Sequence, residues 1–154
     1  MLAFAAFLPA VAEIRLDRTE VRPGETIRAT YTFVNLGDSP SDEPLTVFVH
    51  PRLIGKPEDT YPMFGADFRP FFPTTFWRPG EAIVERRPIR VPKWAPEGEY
   101  RLLLGLYSPR TGERVRMANS DIRFDDLRYE VARFRVAKSP GPPKPFVKRF
   151  LEAP

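Results

Sequence analysis

Proline and glycine interrupt this chain so regularly that only short extended elements fit between them. The clearest case is 74–114, TTFWRPGEAIVERRPIRVPKWAPEGEYRLLLGLYSPRTGER. Arg78-Pro79-Gly80-Glu81 reads as a turn, with proline presetting φ and glycine free to take φ > 0. A strand over 82–91 follows, carrying Ile83, Val84, Ile89 and Val91. Pro92 and Pro96-Glu97-Gly98 interrupt it. Residues 100–107, YRLLLGLY, have the length and apolarity of a buried strand rather than a helix. Pro109-Arg110-Thr111-Gly112 then closes a hairpin.

The same punctuation runs through the rest of the chain. Residues 13–19 alternate Ile14 and Leu16 with Arg15 and Asp17, as a half-buried first strand would. After the turn at 22–25, residues 26–36 show the cleanest alternation: Ile27, Ala29, Tyr31 and Phe33 on one face, Arg28, Thr30 and Thr32 on the other. Residues 35–44 have loop composition, and 45–50 read as the next strand. The final strand spans 128–138. Its apolar phase shifts from Tyr129 and Val131 to Phe134 and Val136, which predicts a bulge near Ala132-Arg133. Seven or eight strands separated by turns predict an all-β fold: a two-sheet antiparallel immunoglobulin-like sandwich with a long aromatic loop and extended termini.

That aromatic loop is 51–75, about 25 residues, longer than most connections in a compact domain. It carries Tyr61, Phe64, Phe68, Phe71 and Phe72, with Phe76 and Trp77 directly after. Disordered segments are poor in aromatics, so this one is expected to fold onto something. It is either a flap covering a sheet edge or a recognition surface.

Composition removes several function classes. The 154 residues suit one domain with one core. There is no cysteine, hence no disulfide, thiolate site or cysteine nucleophile, and His50 is the single histidine. Net charge is +4, but many arginines alternate with apolar residues, as on a solvated strand face. Nucleic acid is therefore not an expected partner. No dinucleotide-binding, phosphate-loop, HExxH or nucleophile-elbow motif is present. Glu58-Asp59 and Asp125-Asp126 are adjacent pairs, which a strand would split between its two faces, unlike a glycosidase acid and base. The expectation is no enzyme, no cofactor and no metal. A calcium set from Asn119, Asp121, Asp125 and Asp126 lacks the EF-hand glycine and glutamate.

The pattern W-x-P-G-E, a strand, then P-x-G-x-Y-x-L-x-x-G-L-Y-x-P-x-T-G-x-R resembles a β-sandwich segment found as an extracytoplasmic appendage of bacterial membrane glycosyltransferase-like proteins. Trp77, Pro79, Gly80 and Glu81 carry its first half, and Pro96, Gly98, Tyr100, Leu102, Gly105, Leu106, Tyr107, Pro109, Thr111, Gly112 and Arg114 its second. The opening, Val21 to Ile27 and then Asn35-Leu36-Gly37, is similar to the start of many immunoglobulin-like and fibronectin-like bacterial modules. The resemblance implies a module without catalytic residues. With no multi-pass membrane segment in this sequence, a role as the appendage of such an enzyme does not carry over.

The two ends differ from the 13–138 sandwich between them. Residues 1–12, MLAFAAFLPAVA, are wholly apolar, and Ala10-Val11-Ala12 has the small-x-small form of a signal-peptidase site. They read as an apolar arm or signal remnant, or alternatively as a first core strand. Residues 139–145, SPGPPKP, are a polyproline-like linker. Residues 146–151, FVKRFL, fit one helical face as a short amphipathic docking tail within the 139–154 extension.

The expected function is a non-catalytic accessory subunit, periplasmic or extracellular. It would dock on protein subunits of a larger membrane-associated assembly, with membrane-surface contact through the N-terminal arm. Its expected partner-binding residues are Phe4, Phe7, Phe68, Phe71, Phe72, Trp94, Phe146, Phe150 and Leu151. The alternative is a secreted polysaccharide-binding module, stacking sugars on Trp77, Trp94, Tyr61 and Phe72.

Overall fold

The computed structural model describes residues 6–57 and 63–151. Two β-sheets make up the fold, and no α-helix occurs among the described residues. The strands are β1 (Pro9–Leu16), β2 (Glu20–Val21), β3 (Thr26–Asn35), β4 (Thr46–Leu53), β5 (Ala82–Arg90), β6 (Gly98–Tyr107), β7 (Arg114–Val115), β8 (Arg123–Asp125), β9 (Arg128–Val136) and β10 (Phe146–Arg149). The four-stranded sheet has the order β10-β1-β3-β5 and is antiparallel throughout. The six-stranded sheet has the order β2-β9-β6-β4, with β7 on β6 and β8 on β9. It is mixed rather than purely antiparallel, because Glu20 and Val21 run parallel to Arg135 and Val136. The expectation of two antiparallel sheets is corrected there. After β1 the chain crosses to the other sheet within a few residues, and a two-residue strand reaching β9 from that side arrives parallel.

Alternation set the inner faces as expected. In β3, Ile27, Ala29, Tyr31 and Phe33 are all buried. Ile27 lies opposite Ile89 and Phe33 opposite Ile83 on β5. Across the core they meet Val47 and Val49 of β4, Tyr100, Leu102, Leu104 and Leu106 of β6, and Val131 and Phe134 of β9. The bulge expected at Ala132-Arg133 falls one residue earlier. Ala132 pairs with Leu102 and Glu130 with Leu103, leaving Val131 as the extra residue.

The outer face of β6 is covered too, which is why 100–107 reads as an unbroken apolar run. Leu103 is fully buried, and the Phe48 ring lies directly over Gly105. A Cβ at Gly105 would also stand 2.8 Å from the Leu127 carbonyl. Glycine is needed here for close approach, not for turn geometry.

The aromatic loop is a flap. Phe68 and Val47 exchange backbone hydrogen bonds of 2.9 Å each way, and the Ala66 amide donates to the Val49 carbonyl. The Val49 amide donates to Asp67 Oδ1, and the Leu45 amide to Thr74 Oγ1. The outward amides of Val47 and Val49 are thereby satisfied, and Pro51 has none, which blunts the template that an open edge offers. The same loop reaches β5, where the Phe71 amide donates to the inward-facing Glu85 carboxylate and Arg87 Nη2 to the Arg69 carbonyl.

Residues 9–16 and 146–149, toward the two ends of the described chain, belong to the sheets. Residues 9–12 are the first half of β1, and Ala10 and Val11 are fully buried. Cleavage after Ala12 would remove half a core strand, so the small-x-small triplet serves the fold. Residues 146–149 form a strand, not a helical turn, paired with β1 from Leu16↔Phe146 to Glu13↔Arg149. An unpaired flank on β1 supplies the hydrogen bonds that so short a helix could not make for itself.

Candidate functional site

The chain before β5 builds a rigid aromatic knuckle. Thr74 starts a single 3-10 turn, Thr74–Phe76, and is fully buried. Its hydroxyl accepts from the Leu45 amide at 2.9 Å and from Ser41 Oγ at 2.7 Å. Trp77 is buried, stacked on Phe33 with centroids 5.3 Å apart, and Phe7 packs on its other side at 6.2 Å. Its indole Nε1 donates to the Phe72 carbonyl at 2.7 Å. With Thr74 and Trp77 pinned inward, Phe71, Phe72 and Phe76 are left pointing out, 88%, 45% and 61% exposed. Phe72 and Phe76 lie 6.0 Å apart, centroid to centroid.

Beside the knuckle lies a proline-walled groove of about 440 Å³, lined by Pro44, Leu45, Pro70, Pro73 and Pro109. Glu43, Arg69 and Arg110 are its charged rim. Hydrogen bonds from Ser108 and Arg110 hold the Glu43 carboxyl below the usual carboxylate range, and Arg110 Nη2 is 2.9 Å from it. The Ala6 carbonyl accepts from the Ser39 amide and hydroxyl, which places Ala6 at this same end of the two sheets.

The nine expected contact residues separate into groups. Phe71 and Phe72 share the knuckle. Phe7 is half-buried under it against Trp77. Phe4 lies outside the described residues. Phe68 is a core residue, 9% exposed, 5.6 Å from the Tyr31 ring and under the Arg87 guanidinium. As folded it offers no partner surface. Phe146 and Phe150 pack half-buried on their own core, and Leu151 is half-buried.

Trp94 is 51% exposed, edge-on to Phe64 at 6.0 Å. It follows the C-terminal end of β5, whereas the knuckle precedes its N-terminal end. The nine residues of β5 put roughly 27 Å between them. Trp94 therefore shares no platform with Phe72, and Trp77 is buried, so two members of the expected sugar-stacking set are unavailable to it. Tyr61 lies outside the described residues.

Sequence reading passed over Phe76, Arg69 and Arg110 as site residues. Phe76 sits beside the motif tryptophan, and nothing in the order Phe-Trp says which ring turns inward. The signal was Pro70 and Pro73, which stiffen a turn between bulky rings. The proposed calcium ligands have other roles. Asn119 clamps Val11, with Oδ1 accepting from its amide at 2.9 Å and Nδ2 donating to its carbonyl at 3.0 Å. Asp125 binds Arg128 through both carboxylate oxygens. Among the described residues no group of three or more acidic or histidine side chains is placed to hold a metal ion.

His50 stands on the outer face of the six-stranded sheet, 4.7 Å from the Phe48 ring. Burial, with Arg52, Arg128 and Arg114 nearby, pushes its pKa down to about 4 against the opposing pull of Asp67. It is a neutral packing residue at physiological pH.

No protein-family model and no curated protein matches this chain. Among the described residues, no helix is long and apolar enough to cross a membrane.

Proposed function

We propose that this protein is a non-catalytic accessory subunit, an extracytoplasmic immunoglobulin-like sandwich that docks on a larger membrane-associated assembly through its aromatic end. The observation that carries the reading is the knuckle: three exposed phenylalanines on a turn fixed by buried hydrogen bonds. Exposed aromatics held rigidly lose little entropy on binding, and such anchors dominate protein interfaces. Phe7, half-buried against Trp77 at the same end, would extend the contact.

Two features support the immunoglobulin-like assignment. The first strand's continuation, β2, crosses to lie beside β9, while β1, β3 and β5 form the opposite sheet. Tyr100, near the start of β6, donates its hydroxyl to the Pro96 carbonyl at 2.6 Å, the geometry of a tyrosine corner. The extracytoplasmic location rests on the sequence resemblance and the apolar N-terminus.

The test is purification of the tagged protein from its source membranes in mild detergent, beside a Phe71→Ser/Phe72→Ser/Phe76→Ser variant. The expected result is stoichiometric co-elution of a large assembly with the parent chain and its loss in the variant at unchanged Tm. Equal co-elution would remove the aromatic end as the docking face. A parent chain that elutes alone would end the accessory-subunit reading. The polysaccharide-binding alternative would then lead, on the half-exposed Trp94, and Trp94→Ala should abolish retardation in a polysaccharide gel.

A further inference from the structure

The lateral edges of the two sheets are not equivalent. The flap satisfies the outward amides of Val47 and Val49 on β4; on β5 it reaches only the Glu85 and Arg87 side chains, but Pro88, without an amide donor, interrupts that edge. On the far side of the six-stranded sheet, β8 covers the start of β9 and β2 its end. That leaves β10. The Phe150 amide donates to the Ala12 carbonyl at 2.9 Å. Bonding residues alternate along an antiparallel pair, so Lys148 and Phe146 also turn their backbone groups toward β1. Val147 and Arg149 must then turn theirs outward, and neither makes a backbone hydrogen bond on that side among the described residues. The strand holds no proline, and its register to β1 is unbroken. Val147 is 46% exposed, and Lys148 and Arg149 are exposed.

We propose that β10 is a docking edge for an extended acidic segment of another protein, which adds to the four-stranded sheet as a fifth strand. Backbone groups of Val147 and Arg149 would supply the hydrogen bonds, and charge selects the occupant. Lys148 faces a side cleft where it, Arg101, Arg123 and Arg133 outnumber the carboxylates of Asp121 and Glu130, the latter paired with Arg101 and Arg133. On the other face Arg149 and Arg15 share a single carboxylate, Glu13. Cations thus flank the edge on both faces, and an incoming strand with alternating glutamates meets them.

A second copy of this chain fits poorly. For Val147 and Arg149 of one copy to bond Arg149 and Val147 of the other, the two-fold axis passes through Lys148. That sets Lys148 directly opposite its own copy at a separation of about 4.5 Å between Cα atoms, and like charges so placed are destabilising. This inference goes beyond the docking reading above and stands without it, since the knuckle plays no part.

The experiment uses two blocked seven-residue peptides, one alternating valine with glutamate, the other valine with lysine. Binding to the full chain is followed by amide hydrogen exchange. The glutamate peptide should bind and slow exchange at Val147 and Arg149 by at least tenfold, while the lysine peptide leaves both unchanged. Val147→Pro removes an outward donor but no bond to β1, and should abolish the protection. Lys148→Glu, which leaves the backbone alone, should weaken the glutamate peptide and favour the lysine one. The inference is overturned by absent binding, by equal binding of both peptides, by binding that survives Val147→Pro, or by a dimer of the chain alone that Val147→Pro dissolves.

Discussion

Asn35 ties together three stretches of chain that sequence keeps apart. It is fully buried at the end of β3. Its Oδ1 accepts from the Leu8 and Gly37 amides at 3.2 and 2.9 Å, and its Nδ2 donates to the Ser39 and Trp77 carbonyls at 2.8 and 3.0 Å. All four positions of the amide are used, which is what makes a buried polar side chain stabilising rather than costly. Asn35→Asp keeps the shape but turns two donors into acceptors facing carbonyls. It should cost about 2–4 kcal/mol, read as a Tm lower by roughly 5–15 °C. A loss under 1 °C would show that the hub is dispensable. In the sequence Asn35 reads only as the first residue of a loop, and Asn119 as part of another. Both were legible as turn-formers, since asparagine favours turns. Neither was legible as a clamp, because the groups they bind are up to 108 positions away.

At the scale of elements, the central strands followed from pattern and the terminal ones did not. Alternation located β3 to within a residue, and turn residues bounded β5 and β6 nearly as well. The tail failed because Phe146 and Phe150, four apart, share a face both in a helix and in a strand, and six residues cannot separate the two periods. The open flank of β1 decided it. Removing residues 139–154 should therefore leave a folded domain, with β1 still held by β3, but lower its stability by about 1–3 kcal/mol through loss of the half-buried Phe146 and Phe150. A chain beginning at Glu13 loses the buried Ala10 and Val11 together with the Asn119 clamp, and should fail to fold. Urea denaturation followed by circular dichroism distinguishes them. Equal midpoints for the tail-less and full chains would refute the strand's contribution, and a cooperative transition in the chain starting at Glu13 would refute the role of the first half of β1.

For the whole molecule, pH offers a clean probe because there is one histidine. His50 is held neutral in the folded state at a pKa of about 4, against 6.5 for the free side chain. The unfolded chain therefore takes up the proton first, and stability is lost as pH falls from about 6.5 toward 4. Glu13, Glu43 and Asp125, whose carboxyls are lowered by their hydrogen-bonded partners (Arg15 and Arg149, Ser108 and Arg110, and Arg128 respectively), add to acid lability as pH falls into and below the ordinary carboxylate range. Tm should fall between pH 6.5 and about 5 in the parent chain and stay nearly flat over that range in His50→Gln; parallel curves would exclude His50 as the source. The sequence by itself determined the all-β class, the inner face of β3 and that the aromatic loop folds onto something. Those follow from side-chain alternation and turn chemistry, both local. Tertiary structure alone decided which aromatics are core and which are surface. Phe68 and Trp77 turned inward and Phe71 and Phe76 outward because β4, Thr74 and Phe33 were there to receive the chain. It also decided that residues 9–12 and 146–149 would be strand, since an unpaired sheet edge is a property of the assembled fold and of no segment within it.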